Sequence, residues 1–129
     1  MSVVIDAYAV LVALLCGSFI NLAADRVPRG ESVLRPRSHC RACNRQLNVV
    51  DLLPVAGYLL RRGRCATCRT PIGVSAPLVE ACAGALMLGA LVWLGAWPGV
   101  AAGALLVAWF GLGVVGLAVL RRPRAAEAR

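Results

Sequence analysis

Six cysteines occur in the chain, and four of them fall in two equal spacings, Cys40-Arg41-Ala42-Cys43 and Cys65-Ala66-Thr67-Cys68. A 21-residue insert separates the two pairs. Two C-x-x-C knuckles at that separation can bring four thiolates to one point, and four thiolates in tetrahedral array suit Zn²⁺. Protein sulfur would then fill every coordination position, leaving none for water or substrate. Cys40, Cys43, Cys65 and Cys68 are therefore the candidate ligands of a structural metal, not of a catalytic one. Disulfide pairing and redox exchange compete for the same residues, and the compartment decides between them. His39 adjoins the first ligand and could compete for metal, although a capping or solvent-facing role suits it better. Cys16 and Cys82 lie inside apolar runs and read as small hydrophobic fillers.

The elements that must position this node are apolar. Of 129 residues, 60% are hydrophobic and only 16% charged, which is outside the composition of a soluble domain and points to an integral membrane protein. Val3–Ala24 is a first apolar run, long enough at about 1.5 Å per residue to cross a bilayer core of roughly 30 Å. A cleaved signal peptide fits it poorly, because Asp6 stands near its start and the basic residues Arg26 and Arg29 follow it. Pro77–Trp97 forms a second span, with proline at its start and Glu80 in the first turn, where the helix dipole favours an acid. Ala96-Trp97-Pro98-Gly99 reads as a tight turn carrying an interfacial tryptophan. Gly99–Leu120 is the third span, its Gly99-x-x-x-Gly103 allowing close packing, and Arg121-Arg122-Pro123-Arg124 ends it. The polar, irregular stretch Asp25–Ser75 lies between the first two spans. Within it, Val49–Leu60 reads as a short amphipathic helix or a membrane-surface segment, interrupted by Pro54 and Gly57. The expected organisation is a first span in 1–24, a four-cysteine zinc loop in 25–76, a second span in 77–97, a turn and third span in 98–120, and a basic tail in 121–129.

Charge placement orients these parts. All 14 basic residues are arginine; ten lie in Asp25–Ser75, which is net +7, and four lie after Leu120. The amino terminus and the Trp97 turn carry none. The positive-inside rule then puts the loop and the tail in the cytoplasm and the amino terminus outside. A reducing cytoplasm disfavours disulfides and favours metal at the four cysteines. Arg26, Arg29, Arg61, Arg62 and Arg64 read as anchors to anionic lipid headgroups. Nucleic acid is not an expected partner, since Tyr58 is the only aromatic residue between the first two spans and offers no stacking platform. Asp51 is expected to orient the loop, contact a substrate or cap a turn. Glu80 is either an acid facing the loop or a helix-terminal charge.

Several stretches keep the order and spacing of one family. These are Gly17-Ser18-Phe19-Ile20-Asn21, Arg26-Val27-Pro28-Arg29-Gly30-Glu31-Ser32, Pro36-Arg37-Ser38-His39-Cys40, and Cys43. Asp51-Leu52-Leu53-Pro54, Gly63-Arg64-Cys65, Cys68, Pro71-Ile72 and Pro77-Leu78-Val79-Glu80 continue the pattern. From about Gly17 to Glu80 the chain resembles the N-terminal part of the prepilin peptidases, the type IV leader peptidase and N-methyltransferase enzymes. The resemblance implies a polytopic protein of the bacterial inner membrane with a cytoplasmic zinc-bound loop between the first and second spans; with the spans counted above, the expected fold is an all-α membrane protein with three transmembrane helices. It implies a role in type IV pilin or type II secretion pseudopilin processing, with prepilins as partners beside membrane lipid; the missing peptidase half adds a separate peptidase subunit as an expected partner. Asp51, Glu80 and Arg26 are its candidate substrate or loop contacts.

The family's peptidase half needs two aspartates, one of them in a G-x-G-D motif. Here no acid occurs between Glu80 and Glu127, and Ala118-Val119-Leu120-Arg121 stands where the first aspartate belongs. No catalytic residue is assigned, and this chain alone is not expected to cleave peptides. The family also methylates processed pilins from S-adenosylmethionine, so a stand-alone methyltransferase using that cofactor is an alternative. Against it, Ser75-Ala76 replaces the family's Arg-Tyr, a cation and an aromatic ring suited to an anionic or adenine-bearing ligand. A non-enzymatic zinc-stabilised adaptor is the remaining alternative.

Overall fold

The computed structural model describes residues 2–121; the tail from Arg122 onward, including the expected stop at Arg122-Pro123-Arg124, lies outside the described residues. Helix α1 runs Ser2–Arg26, α2 is the short helix Ala56–Leu60, α3 runs Ser75–Leu94 and α4 runs Ala96–Leu120. Three of them, α1, α3 and α4, are long and apolar enough to cross a membrane. The only extended pairing among the described residues is two isolated bridges in the loop between α1 and α3. The all-helical, three-span class expected from composition is the class observed.

Each long helix packs on the other two. Small side chains make that contact: Ala9 and Ala13 of α1 and Ala83 of α3 are buried together with Met87, Leu91 and Val107. In lipid there is no hydrophobic gain from helix pairing, so close backbone approach and dispersion must hold the bundle. Gly17 of α1 lies against α3 so closely that an added Cβ would come 2.7 Å from the Cα of Glu80. On α4 the buried face is Gly99, Gly103, Val107 and Gly111, one residue per turn. A Cβ at Gly99 would lie 2.7 Å from the Cα of Leu91, and one at Gly103 2.5 Å from Met87 Sδ. Gly99-x-x-x-Gly103 is thus the α3–α4 seam.

Two boundaries differ from the sequence reading. α3 starts at Ser75, so Pro77 is its third residue and Glu80 lies in the second turn. Proline is tolerated anywhere in the first turn, whose N–H groups have no intrahelical acceptor. The turn expected at Ala96–Gly99 sits one residue earlier, at Gly95, where φ is +78°. Gly95 alone joins α3 to α4: its N–H bonds to Leu91 O at 2.9 Å and its carbonyl accepts from Gly99 N–H at 2.8 Å. Glycine adopts positive φ without a Cβ penalty, so one residue suffices and Ala96–Gly99 becomes the first turn of α4. Trp97 at this end is 77% exposed, as an interfacial aromatic requires.

The loop enters from a single 3₁₀ turn, Val27–Arg29, closed by Gly30 at φ +68°. Between the knuckles, residues 49–55 form turns, and only the five residues of α2 are helical. Gly57 lets α2 settle there, since a Cβ on it would come 2.6 Å from Val50 O and 2.8 Å from Asp51 O.

Candidate metal centre

Each cysteine pair sits in a tight backbone turn, and the two turns are the same structure repeated. In the first, Cys40 N–H donates to Arg45 O (2.9 Å), Asn44 N–H to Cys40 O (2.8 Å) and Leu47 N–H to Ser38 O (2.9 Å). In the second, Cys65 N–H donates to Thr70 O (3.0 Å), Arg69 N–H to Cys65 O (3.1 Å) and Ile72 N–H to Gly63 O (2.7 Å). The bridges His39–Gln46 and Arg64–Pro71 close them equivalently. Both turns need a left-handed residue just after the second cysteine, filled by Asn44 (φ +57°) and Arg69 (φ +60°). Asparagine visits that region readily; arginine does so at a cost.

The repeat faces the sulfurs toward each other. Cys40 Sγ lies 3.7 Å from Cys68 Sγ, Cys43 Sγ lies 3.9 Å from Cys65 Sγ, and all four fall within 4.8 Å of one another. An ion held tetrahedrally at about 2.3 Å from sulfur has sulfur–sulfur edges of about 3.8 Å. The four cysteines could therefore hold a metal ion, and their donor set and spacing are those typical of zinc. His39 is no part of the cluster; its Nδ1 lies 3.0 Å from Arg37 O. Cys65 is buried, Cys40 half-buried, and Cys43 and Cys68 exposed.

Electrostatics divide the thiols. The N–H groups of Cys68 and Thr67 point at Cys65 and, with the Arg45 guanidinium, lower its pKa to about 6. The Thr70 hydroxyl and N–H lower that of Cys68. At Cys43 the Arg45 N–H favours the thiolate, but desolvation and the crowding of Cys68, Cys40 and Cys65 outweigh it and push the pKa up to about 11. The Cys65 thiol therefore ionises before that of Cys43, and a bound cation would allow all four to ionise together.

Asp51 organises the space between the knuckles. Its side chain is 6% exposed; Oδ2 accepts from Arg45 at 2.7 Å and Oδ1 from Arg61 at 2.6 Å. Oδ2 also accepts from Asn48 N–H at 3.1 Å, while Asn48 Oδ1 accepts from Asp51 N–H at 3.0 Å. Desolvation opposes ionisation of Asp51, yet the Arg45, Asn48 and Arg61 bonds prevail and hold its pKa below the usual carboxylate value. Arg45 belongs to the first knuckle and Arg61 follows α2, so one buried carboxylate ties both to the loop. The roles of Arg45 and Arg61 escape sequence reasoning, although the Asn48-x-x-Asp51 spacing hints at the local cap.

Glu80 is 7% exposed, and its Oε2 accepts from Val55 N–H at 2.6 Å. Val55 has φ +56°, a strained conformation for a β-branched residue, at the start of α2. Arg26 is 5% exposed and donates from Nη1 to Ser32 O at 2.8 Å. Asp51, Glu80 and Arg26 thus all make loop contacts, but at three separate places and not at the sulfur cluster. Asp25 pairs with Arg29 (2.8 Å) and Arg41 (2.6 Å), and Arg41 with Glu31 (3.2 Å); these pairs are solvent-exposed and contribute little.

In sequence, the chain is similar to several known proteins. The chain is 36% identical over 114 residues to a prepilin leader peptidase/N-methyltransferase of Burkholderia pseudomallei (strain K96243), covering 69% of this chain and 37% of that one. It is 40% identical over 81 residues to the one of Myxococcus xanthus (strain DK1622), covering 63% and 24%. It is 31% identical over 126 residues to the one of Neisseria gonorrhoeae, covering 79% and 44%. The chain thus spans less than half the length of these relatives. No solved structure matches it. Residues 11–94, which carry most of α1, both knuckles and all of α3, match the family described as Bacterial Peptidase A24 N-terminal domain, and the chain belongs to that family.

Proposed function

We propose that the chain is a zinc-held membrane module of type IV pilin or type II secretion pseudopilin processing. On this reading it engages a prepilin or a separate peptidase chain and does not itself hydrolyse the leader. The observation that carries the proposal is the family's N-terminal region, complete with its four-thiolate cluster, in a stretch with no acid between Glu80 and Glu127. Aspartic proteolysis needs two carboxylates sharing a proton, and the sequence offers no acid for such a pair along α4, the span that follows Glu80. On this reading cleavage rests on residues outside these 129.

The zinc would be held by Cys40, Cys43, Cys65 and Cys68 and would supply folding energy to the loop, not a reactive water. Asp51, Glu80 and Arg26 would set the loop's shape and its seat on the bundle. Arginine placement supports a cytoplasmic loop and tail in the bacterial inner membrane, with the amino terminus outside. Methyl transfer from S-adenosylmethionine is not part of the proposal.

A chimera tests it. The chain replaces the corresponding region of a prepilin leader peptidase, and leader removal from a prepilin is scored in cells lacking the native enzyme. The expected outcome is processing by the chimera, lost in the C40S/C65S variant at unchanged protein level. A chimera that reaches the membrane with zinc bound yet leaves prepilin unprocessed overturns the proposal.

A further inference from the structure

A cavity of about 1430 Å³ opens where the loop meets the bundle. Its walls are the last turns of α1, the first turns of α3, the last turns of α4, and the inner face of the loop. The charges around it do not balance. Of its acids, Asp25 and Glu31 are taken by Arg29 and Arg41, and Asp51 by Arg45 and Arg61. Glu80 accepts from Val55 N–H. Arg26, Arg64 and Arg121 line the same cavity and make no ion pair among the described residues.

Arg26 is the telling one. It is 5% exposed, and among the described residues the one hydrogen bond of its side chain runs from Nη1 to the neutral carbonyl of Ser32. A guanidinium carries five N–H donors, and burying such a charge against a single neutral acceptor is costly unless an anion completes it. Arg26 ends α1 and Arg121 follows α4, so both stand at the level where three spans leave the apolar layer. That is the depth of lipid phosphates. Just inside it, the cavity wall is apolar, formed by Val79, Val114 and Leu117 among others.

We propose that this cavity binds one anionic phospholipid, its phosphate on Arg26 with Arg64 and Arg121 as flanking cations and its acyl chains along Val79, Val114 and Leu117. An acidic peptide would also satisfy the arginines. The lipid is the better occupant because the cationic rim lies at headgroup depth and continues into apolar helix faces. The proposal is independent of any role in pilin processing.

Full-length protein is purified in a neutral detergent and examined by native mass spectrometry with phosphatidylglycerol or phosphatidylcholine. Thermal unfolding is then followed in nanodiscs of each lipid. The expected result is one retained phosphatidylglycerol per chain, a higher Tm in phosphatidylglycerol than in phosphatidylcholine, and about tenfold or greater loss of lipid affinity in Arg26→Gln. Arg26→Lys should restore part of that affinity. Zinc content is measured in every variant; should Arg26→Gln lose its zinc, the exposed-residue variants Arg64→Gln and Arg121→Gln carry the test and must each weaken retention. Equal retention of the two lipids overturns the proposal. So does equal protection by inorganic phosphate alone, which would mark a free-anion site, or protection by a glutamate-rich peptide where phosphatidylglycerol gives none.

Discussion

Replacing Asp51 by asparagine keeps the shape of the residue and removes the charge that joins Arg45 to Arg61. Two charge-assisted hydrogen bonds, at 2.7 and 2.6 Å, become neutral or are lost. Hydrogen bonds to charged groups contribute about 1.5–3 kcal/mol each, and breaking one partner of a fully buried pair costs about 3–5 kcal/mol. The arginine side chains are 24% and 30% exposed, so water recovers part of their hydration. The other part is not recovered, because Arg45 Nε is buried without any hydrogen-bond partner even in the intact loop. An overall cost of about 2–4 kcal/mol follows. Zinc binding in such a loop includes the free energy of ordering it, so the loss should appear in metal affinity as about 1.5 to 3 orders of magnitude. Chelator competition on detergent-solubilised wild type, Asp51→Asn, Arg45→Gln and the Arg45→Gln/Asp51→Asn double variant measures it. The double variant should be no weaker than the sum of its parts, because the partner left unpaired by the first change has gone. Asp25→Asn, in the exposed cluster, should change affinity by less than about fivefold. An Asp51→Asn protein within about threefold of wild type would refute the view that this carboxylate organises the loop.

Arg69→Asn should strengthen zinc binding or raise the Tm by an amount matching about 1 kcal/mol, since asparagine suits the left-handed position that arginine occupies at φ +60°; a destabilised variant would mean that the arginine side chain has another task. Gly17→Leu should disrupt the α1–α3 contact, where even a Cβ would come 2.7 Å from the Glu80 backbone, and the protein should lose its folded population in detergent by more than about 3 kcal/mol. Acid should act in two steps. Metal requires thiolates, so protons compete with zinc at all four sulfurs and its affinity should fall steadily with pH, more steeply below about 6, where the metal-free Cys65 thiol also takes up a proton. Asp51 has a depressed pKa, so its stabilisation is complete above the unfolded carboxylate value of about 4 and is lost only as pH falls below it. Zinc retained at about pH 4 and lost only with global unfolding would contradict that order.

The spacing of Cys40, Cys43, Cys65 and Cys68 is enough to place four sulfurs together, because two short turns and one closed loop leave few other arrangements. Span number is equally legible, since hydropathy over about 20 residues depends on composition more than on packing. What sequence reasoning misses depends on contacts between distant residues. Nothing local marks Arg45 and Arg61 as partners of one aspartate. The identity of the two knuckles beyond their cysteines lies in backbone angles shared by Asn44 and Arg69, two side chains with nothing else in common. The position of Gly95 as the whole α3–α4 connection is hidden by Pro98, which draws attention to a turn centred too late in the chain.

The buried charges also explain how the four-cysteine loop is fixed to the helix bundle. Zinc would join the knuckles to each other, but none of its four ligands belongs to a span. Asp51 carries the link onward, from Arg45 in the first knuckle to Arg61 at the end of α2. Glu80 then takes the other end of α2 by its bond to Val55 N–H, and Gly17 presses α1 against the same residue from behind. Glu80 therefore stands in two contacts at once, one that seats the loop and one that packs two spans. An acid within a membrane helix is expensive. It is retained here where its carboxylate meets a backbone donor of the loop and its backbone meets a glycine, so the cost of the charge falls at the one level of α3 that must hold both parts together.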